Sequence, residues 1–296
     1  MPVMAQVNLV YYHEDIGFGN FGDELSAYIV SQLLSKEHTL VKNQEGADHN
    51  ILCIGSLLHD ILPNYHVFGT GFGLDIPETL EKGASITAVR GPLSRDMLLD
   101  YGLECPESYG DAALLLPLYY QPKDLQLQDK VGFIPHFRNY HTLGVDSMGG
   151  LENAESFYLI DPTNHWKQVI DEITSCKSIV SQALHGLICA DAYDIPNVWF
   201  SENLWFCNMC HTFASHSSLE IPEDESVRPP CSCGWKFSFQ GTNLPFHNGN
   251  FKFHDYFLSQ NREINSISCL DDYDEAKLYC LGNQIDLESL RDSFPL

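Results

Sequence analysis

Short apolar runs alternate along this chain with longer stretches in which apolar residues recur every three or four positions. The runs at 7–12, 50–54, 67–68 and 86–89 are strand length, apolar and rich in β-branched residues, which predicts buried strands. Helical spacing follows the first run at 25–34 and the last at 93–101. A second series has strands at 131–136, 157–160, 178–180 and 198–200, with helical spacing at 165–175, 184–192 and 252–262. The order is most complete around 178–200. There a strand meets the polar pair Ser181-Gln182, Leu184, Leu187, Ile188 and Ala192 mark one helix face, and Asp194, Pro196 and Asn197 stop the helix. Strand–turn–helix–strand units repeat in parallel α/β sheets. Small or polar residues follow each apolar strand, as at the carboxyl edge where open α/β sheets collect ligands. Turns need the same residues for geometry alone.

The length of 296 residues accommodates two α/β domains. The polar, aperiodic stretch 121–130 is the expected linker, between an N-terminal domain at 1–120 and a C-terminal domain at 131–262. The periodic pattern breaks at 204–250, an irregular cysteine-containing insertion in the second domain. The acidic segment 263–296 follows, with a short helix near 285–289. No internal repeat interrupts this plan.

A formal charge of −24, with only 16 Lys and Arg, argues against binding the nucleic-acid backbone and against charge-driven docking on an anionic membrane. It also makes each basic residue near a strand end informative, because an anionic ligand has few cations to meet. No apolar run approaches membrane-spanning length, and residues 1–10 lack the basic start of a signal peptide. Of ten cysteines, Cys53, Cys176 and Cys189 lie in apolar segments and read as buried thiols, which fits a reducing cytoplasm. Four others pair closely within the insertion, as Cys207-x2-Cys210 and Cys231-x-Cys233. Two thiolate pairs suit a tetrahedral structural zinc, with His211 and His216 as substitutes; free thiols or a disulfide are the competing readings.

The glycine-rich loop 17–24 joins a strand to a helix and lets a ligand approach the backbone near Gly22. It matches neither the dinucleotide fingerprint nor the P-loop. Asp23 and Glu24 fall where carboxylates commonly cap helices, so capping and a site role both stand. On the other half, His185 and Gly186 sit where a strand hands over to a helix.

Taken in order, GNFGDE (19–24), GSLLH (55–59), GTGF (69–72), VRGPLSR (89–95), YGDAALLLP (109–117), GFIPH (132–136), IDP (160–162), ALHGLICADAYDIPNVW (183–199) and KFHDYF (252–257) resemble the polysaccharide pyruvyl transferases, nearest to the exopolysaccharide type. The resemblance implies a GT-B-like fold, two Rossmann-like α/β domains facing a cleft. It also implies transfer of pyruvate from phosphoenolpyruvate to a sugar as a cyclic ketal, with release of phosphate and no organic cofactor. The arginine of the VRG motif and the histidine of the LHG motif, here Arg90 and His185, are implied to bind the donor. Many members carry an arginine or serine two residues before that histidine, where this chain has Ala183. Arg138, just after His136, and Lys252 are the cations available to complete the phosphate grip. The insertion is absent from shorter relatives and would serve as a lid over the acceptor or an oligomer contact.

The chemistry agrees with those residues. Phosphoenolpyruvate carries a carboxylate and a phosphate, which need cations and N–H donors. A histidine delivers a proton near neutral pH, and a carboxylate, Asp23 first and Asp111 second, would take protons from the acceptor hydroxyls. The acceptor is expected to be a glycan, a nucleotide sugar or a lipid-linked sugar; the last would bring the enzyme to the inner face of the membrane. Two alternatives remain: a GT-B glycosyltransferase that uses a nucleotide sugar, and a non-catalytic glycan-binding protein.

Overall fold

The computed structural model describes residues 4–11, 19–73, 77–137, 140, 154–201 and 250–296, with the backbone of four short strands between 204 and 245. Two five-stranded parallel sheets organise them. The first has the order β2-β1-β3-β4-β5, from β1 (Ala5–Val10), β2 (His38–Lys42), β3 (His49–Leu52), β4 (Tyr65–Phe68) and β5 (Ser85–Ala88). The second has the order β14-β9-β8-β6-β7, from β6 (Val131–Ile134), β7 (Phe157–Leu159), β8 (Ser178–Ser181), β9 (Asn197–Phe200) and β14 (Ser266–Ile267). The second sheet's β6, β8 and β9 are buried throughout, which is why they read as unbroken apolar runs and not as alternation.

Strand order reverses once in each sheet. β2 and β3 flank β1, and β7 and β8 flank β6. The connections leaving β1 and β3, and those leaving β6 and β8, therefore run to opposite faces of their sheets. Gly22, Asp23, His136 and His185 follow the strands beside these reversals, whereas Arg90 follows β5, Asp111 precedes the 3-10 segment Ala112–Leu118 and Lys252 lies on a later helix.

The helices are α1 (Phe21–Leu33), α2 (Pro92–Asp100), α3 (Trp166–Ser175), α4 (Leu184–Ala192), α5 (Asn250–Ser259) and α6 (Leu287–Asp292). A 3-10 segment, Ala112–Leu118, lies against both α1 and α4, and its residues 112–116 are wholly buried. It joins the core of the first sheet to that of the second: Val7, Phe21 and Ile29 belong to the same apolar cluster as Leu114, Ile134, Val169 and Leu187. At about 25 cal/mol per Å2 of apolar surface, burial of five consecutive apolar residues makes this segment a main contributor to holding the two halves in register.

Two regions depart from expectation. The insertion, read as irregular, contains two antiparallel hairpins, Leu204–Cys207 (β10) with Thr212–Ser215 (β11) and Lys236–Phe239 (β12) with Thr242–Pro245 (β13). Lys236-Phe237-Ser238-Phe239 alternates polar and apolar residues, the period of a strand. The acidic C-terminal segment serves both halves. β14 adds an edge to the second sheet, while Phe294 meets Phe68 of the first edge-on at 5.3 Å. Cys53, Cys176 and Cys189 are buried free thiols.

Candidate active site

Helix α1 begins four residues before the expected position. Asn20 is its N-cap: the side-chain oxygen accepts from Gly22 N (3.2 Å), and Nδ2 donates to Asp23 Oδ2 (2.8 Å). Gly22 and Asp23 are thereby held inside the first helical turn. Asp23 is half-buried, and its Oδ1 lies 3.6 Å from the position a β-carbon on Gly55 would take. Gly55 follows β3 with φ +122°, a conformation that favours glycine. The two loops beside the first sheet's switch point thus meet at Asp23.

The second sheet contributes His185. Ser181, the last residue of β8, accepts from Ala183 N (3.1 Å) and donates to Ala183 O (2.8 Å), which folds the strand sharply into α4. Ala183, the N-cap of α4, offers no side-chain cap. A β-carbon at Gly186 would overlap Ser181 Oγ, so Gly186 has a packing reason to be glycine. His185 leaves this turn toward the first half, and its ring lies where a β-carbon on Gly22 would stand.

Opposite His185 stands Asp111. Its Oδ1 caps the 3-10 segment by accepting from Ala113 N (3.0 Å), and its Oδ2 faces His185 Nε2 at 3.7 Å. Asp111 is fully buried and His185 is 13% exposed. Neither Oδ2 nor Nε2 has a hydrogen-bond partner among the described residues. At 3.7 Å they are just beyond hydrogen-bond length. Acid and imidazole come from different halves, about a proton's transfer apart, beside the glycine and carboxylate of α1. Burial first, then the charge of Asp111, pushes the neighbouring Cys53 and Cys189 thiols well above their ordinary range.

Arg90 stands at the end of β5 as expected, but its side chain is only 1% exposed. Nη1 donates to Ser56 Oγ (3.0 Å) and Gly55 O (3.4 Å), Nη2 donates to Phe72 O, and Nε pairs with Asp255 Oδ2 at 3.3 Å. The guanidinium thus clasps the loops after β3 and β4. Burial lowers the Arg90 pKa and raises that of Asp255; each partner's charge opposes the shift.

His136, after β6, donates its backbone N–H to Gln182 Oε1 (2.8 Å), tying together the loops beside the second switch point. Its ring lies 4.6 Å from that of Phe137. Lys252 is half-buried on α5, with Nζ 5.5 Å above the Phe253 ring. Asp23, Gly22, Asp111 and His185 converge; Arg90 borders them from behind. Arg138 lies outside the described residues, as do the side chains of Cys207, Cys210, Cys231 and Cys233 and the two histidines near them. Among the described residues no group of three His, Cys, Asp or Glu side chains could hold a metal ion.

A family model described as polysaccharide pyruvyl transferase matches residues 20–203, which includes every converging residue. The chain belongs to the polysaccharide pyruvyl transferase family. The succinoglycan biosynthesis protein ExoV of Rhizobium meliloti (strain 1021) is 27% identical over 195 residues, 62% of this chain. The match spans 57% of the length of that relative. In this family member, Ser56, Ser94 and Asp255 join the setting of the site without having been singled out from sequence. Asp255 belongs to the KFHDYF motif, but its partner Ser94 lies 161 residues away, and nothing local signals that pairing.

The contact between Gly22 and His185 makes a direct test. Gly22→Ala should favour α1 by helix propensity, about 1 kcal/mol, yet displace the imidazole. The expected result is a folded protein of somewhat lower melting temperature, because overlap with the largely buried ring offsets the propensity gain, with turnover reduced at least about tenfold, since small misplacements of a reacting group are costly. Equal turnover would show that the ring has freedom to move aside.

Proposed function

We propose that this chain is a ketal pyruvyl transferase that moves the pyruvyl group of phosphoenolpyruvate onto two hydroxyls of a sugar in a surface polysaccharide or its precursor. The carrying observation is the Asp111–His185 pair, which joins the two halves near Asp23 in a member of this family. The family sets the reaction class; the residue roles are inferred from position and chemistry.

The proposed sequence balances without an organic cofactor. The donor's methylene carbon gains a proton from His185, leaving cationic character at C2. One acceptor hydroxyl attacks C2 and loses its proton. The C2–O bond to phosphate then breaks, and phosphate departs with the electron pair. The second hydroxyl attacks the renewed cation, closing the ketal and releasing a second proton. Asp111, buried and facing Nε2 at 3.7 Å, orients the His185 ring. Asp23, half-buried in the first turn of α1, is the base for the hydroxyls. The open N–H groups at the start of α4 favour the donor's anionic groups. Arg138 and Lys252 remain the proposed supplementary cations, and His136 a proposed substrate contact.

The sugar acceptor follows from the family, and a lipid-linked precursor is among the acceptors proposed. No helix among the described residues is long and apolar enough to cross a membrane, so such an acceptor would be met from the aqueous side.

A thermal-shift titration checks the donor. Phosphoenolpyruvate at 100 times its dissociation constant stabilises by about 2.7 kcal/mol, a readily measured rise in melting temperature. The expected result is saturable stabilisation in wild type and its loss in His185→Ala. Turnover of a nucleotide sugar with release of its nucleotide, and no turnover of phosphoenolpyruvate, would move the assignment to glycosyl transfer.

A further inference from the structure

Helix α5 follows the second sheet and the insertion in sequence, yet two adjacent side chains on it hold opposite halves of the molecule. Asp255 faces the first half: Oδ1 accepts from Ser94 N (3.0 Å), Oδ2 accepts from Ser94 Oγ (2.6 Å), and Oδ2 pairs with Arg90 Nε. Through Arg90 it reaches Gly55, Ser56 and Phe72, the loops that border Asp23. Tyr256 faces the second half and donates to Asp191 Oδ2 (2.7 Å). Asp191 also accepts from Arg262 Nη1 (3.0 Å) and, at Oδ1, from Asn197 Nδ2 (2.6 Å). It lies on α4, whose second residue is His185. Consecutive helix residues diverge by about 100°, which is why neighbours can serve different partners.

We propose that α5 is a strut that sets the position of His185 relative to the loops after β3 and β4 that border Asp23, with Asp255 and Tyr256 as positioning residues for the reaction. The proposal rests on the reading of His185 as the proton donor. α4 is a rigid rod, so fixing Asp191 fixes His185 six residues earlier, about 9 Å along the axis. The first-half end has little slack: a β-carbon on Gly91 would overlap the Asp255 carbonyl oxygen, so the α5 backbone already presses on that loop. A third hold comes from Phe253, stacked on Trp199 of β9 at 4.5 Å and 18°. Asp255, Tyr256 and Asp191 are fully buried. Apolar residues fill such space as well or better than a buried ion pair, so stability alone gives little reason for this choice. Directional bonds to two halves give a defined spacing, which packing alone specifies less sharply.

Asp255→Asn and Tyr256→Phe test the strut in the full chain, each with near-unchanged volume. Three quantities are read: kcat and KM with phosphoenolpyruvate, hydrogen exchange at residues 55–57 and 70–72, and the nuclear magnetic resonance signal of the His185 imidazole, assigned by its loss in His185→Gln. The expected result is a fall in kcat of about tenfold or more, with a smaller change in KM and a displaced His185 signal in both variants. Exchange should accelerate at 55–57 and 70–72 in Asp255→Asn, while 178–181 stays protected. A lower melting temperature with unchanged kcat and an unmoved His185 signal would reduce α5 to a packing element and overturn the strut. A wild type inert toward phosphoenolpyruvate, with His185 displaced in both variants, would keep the strut and remove the pyruvyl reading.

Discussion

Replacing His185 with alanine is expected to lower transfer from phosphoenolpyruvate by about 100- to 10,000-fold, the range for loss of a general acid. The fold should survive. Ring atom Nε2 makes no hydrogen bond among the described residues, and alanine is the stronger helix former at the second position of α4. Phosphate release in the presence of acceptor measures the loss; circular dichroism and melting temperature check the fold. Asp111→Asn should follow at a smaller magnitude, because it removes the charge beside the imidazole but keeps the cap on Ala113 through the remaining oxygen. If His185→Ala turns over at the wild-type rate, the proton comes from elsewhere and the Asp111–His185 contact is only packing. A large loss in His185→Ala that recovers with added imidazole would tie the defect to the missing proton donor.

Much of this site was legible because its parts sit at strand ends. Short apolar runs announced the strands, and a parallel sheet makes everything after each run a candidate for the crevice. Asp23, Asp111 and His185 were reached this way and do converge. Arg90 was also at a strand end, but position along the chain does not say which way a long side chain turns. Its guanidinium turned inward because Gly55 O, Phe72 O and Asp255 supply acceptors there, and none of these neighbours it in sequence. The start of α1 was missed for a simpler reason. Gly22, Asp23 and Glu24 interrupt the apolar period, whereas the Asn20 cap that starts the helix is a single polar residue among several. Strand β2 was missed because none of its residues is fully buried and Thr39 and Lys42 are exposed, leaving a weak apolar signal at the sheet's edge. α5 shows the general limit. Its period gave the helix, but its attachment to the first half depends on Ser94 and Arg90, more than 150 residues earlier.

The burial of Arg90 sets up the second large effect. Arg90→Ala would leave the Asp255 carboxylate in the interior with no countercharge, a loss of about 3–5 kcal/mol for one partner of a buried pair. At about 2–4 °C per kcal/mol the melting temperature should fall by roughly 10 °C or more. A donor-contacting arginine on the surface of the crevice would behave differently, raising KM for phosphoenolpyruvate with little change in melting. Arg90→Lys separates these outcomes further. It keeps a charge for Asp255, but a single ammonium lacks the planar fork that spans Ser56, Gly55 and Phe72 together. Partial recovery of stability is therefore expected, with turnover still depressed. The decisive variant is Arg90→Met with Asp255→Leu, which removes both charges and fills the space with apolar atoms. Buried pairs replaced in this way are often neutral or stabilising, so melting should return toward wild type. Turnover should not return, because nothing then clasps the loops after β3 and β4 beside Asp23. If the double variant regains both stability and turnover, the pair serves folding alone. If Arg90→Ala instead keeps its melting temperature and loses only donor affinity, the guanidinium swings out to meet phosphoenolpyruvate and its buried position belongs to the donor-free state.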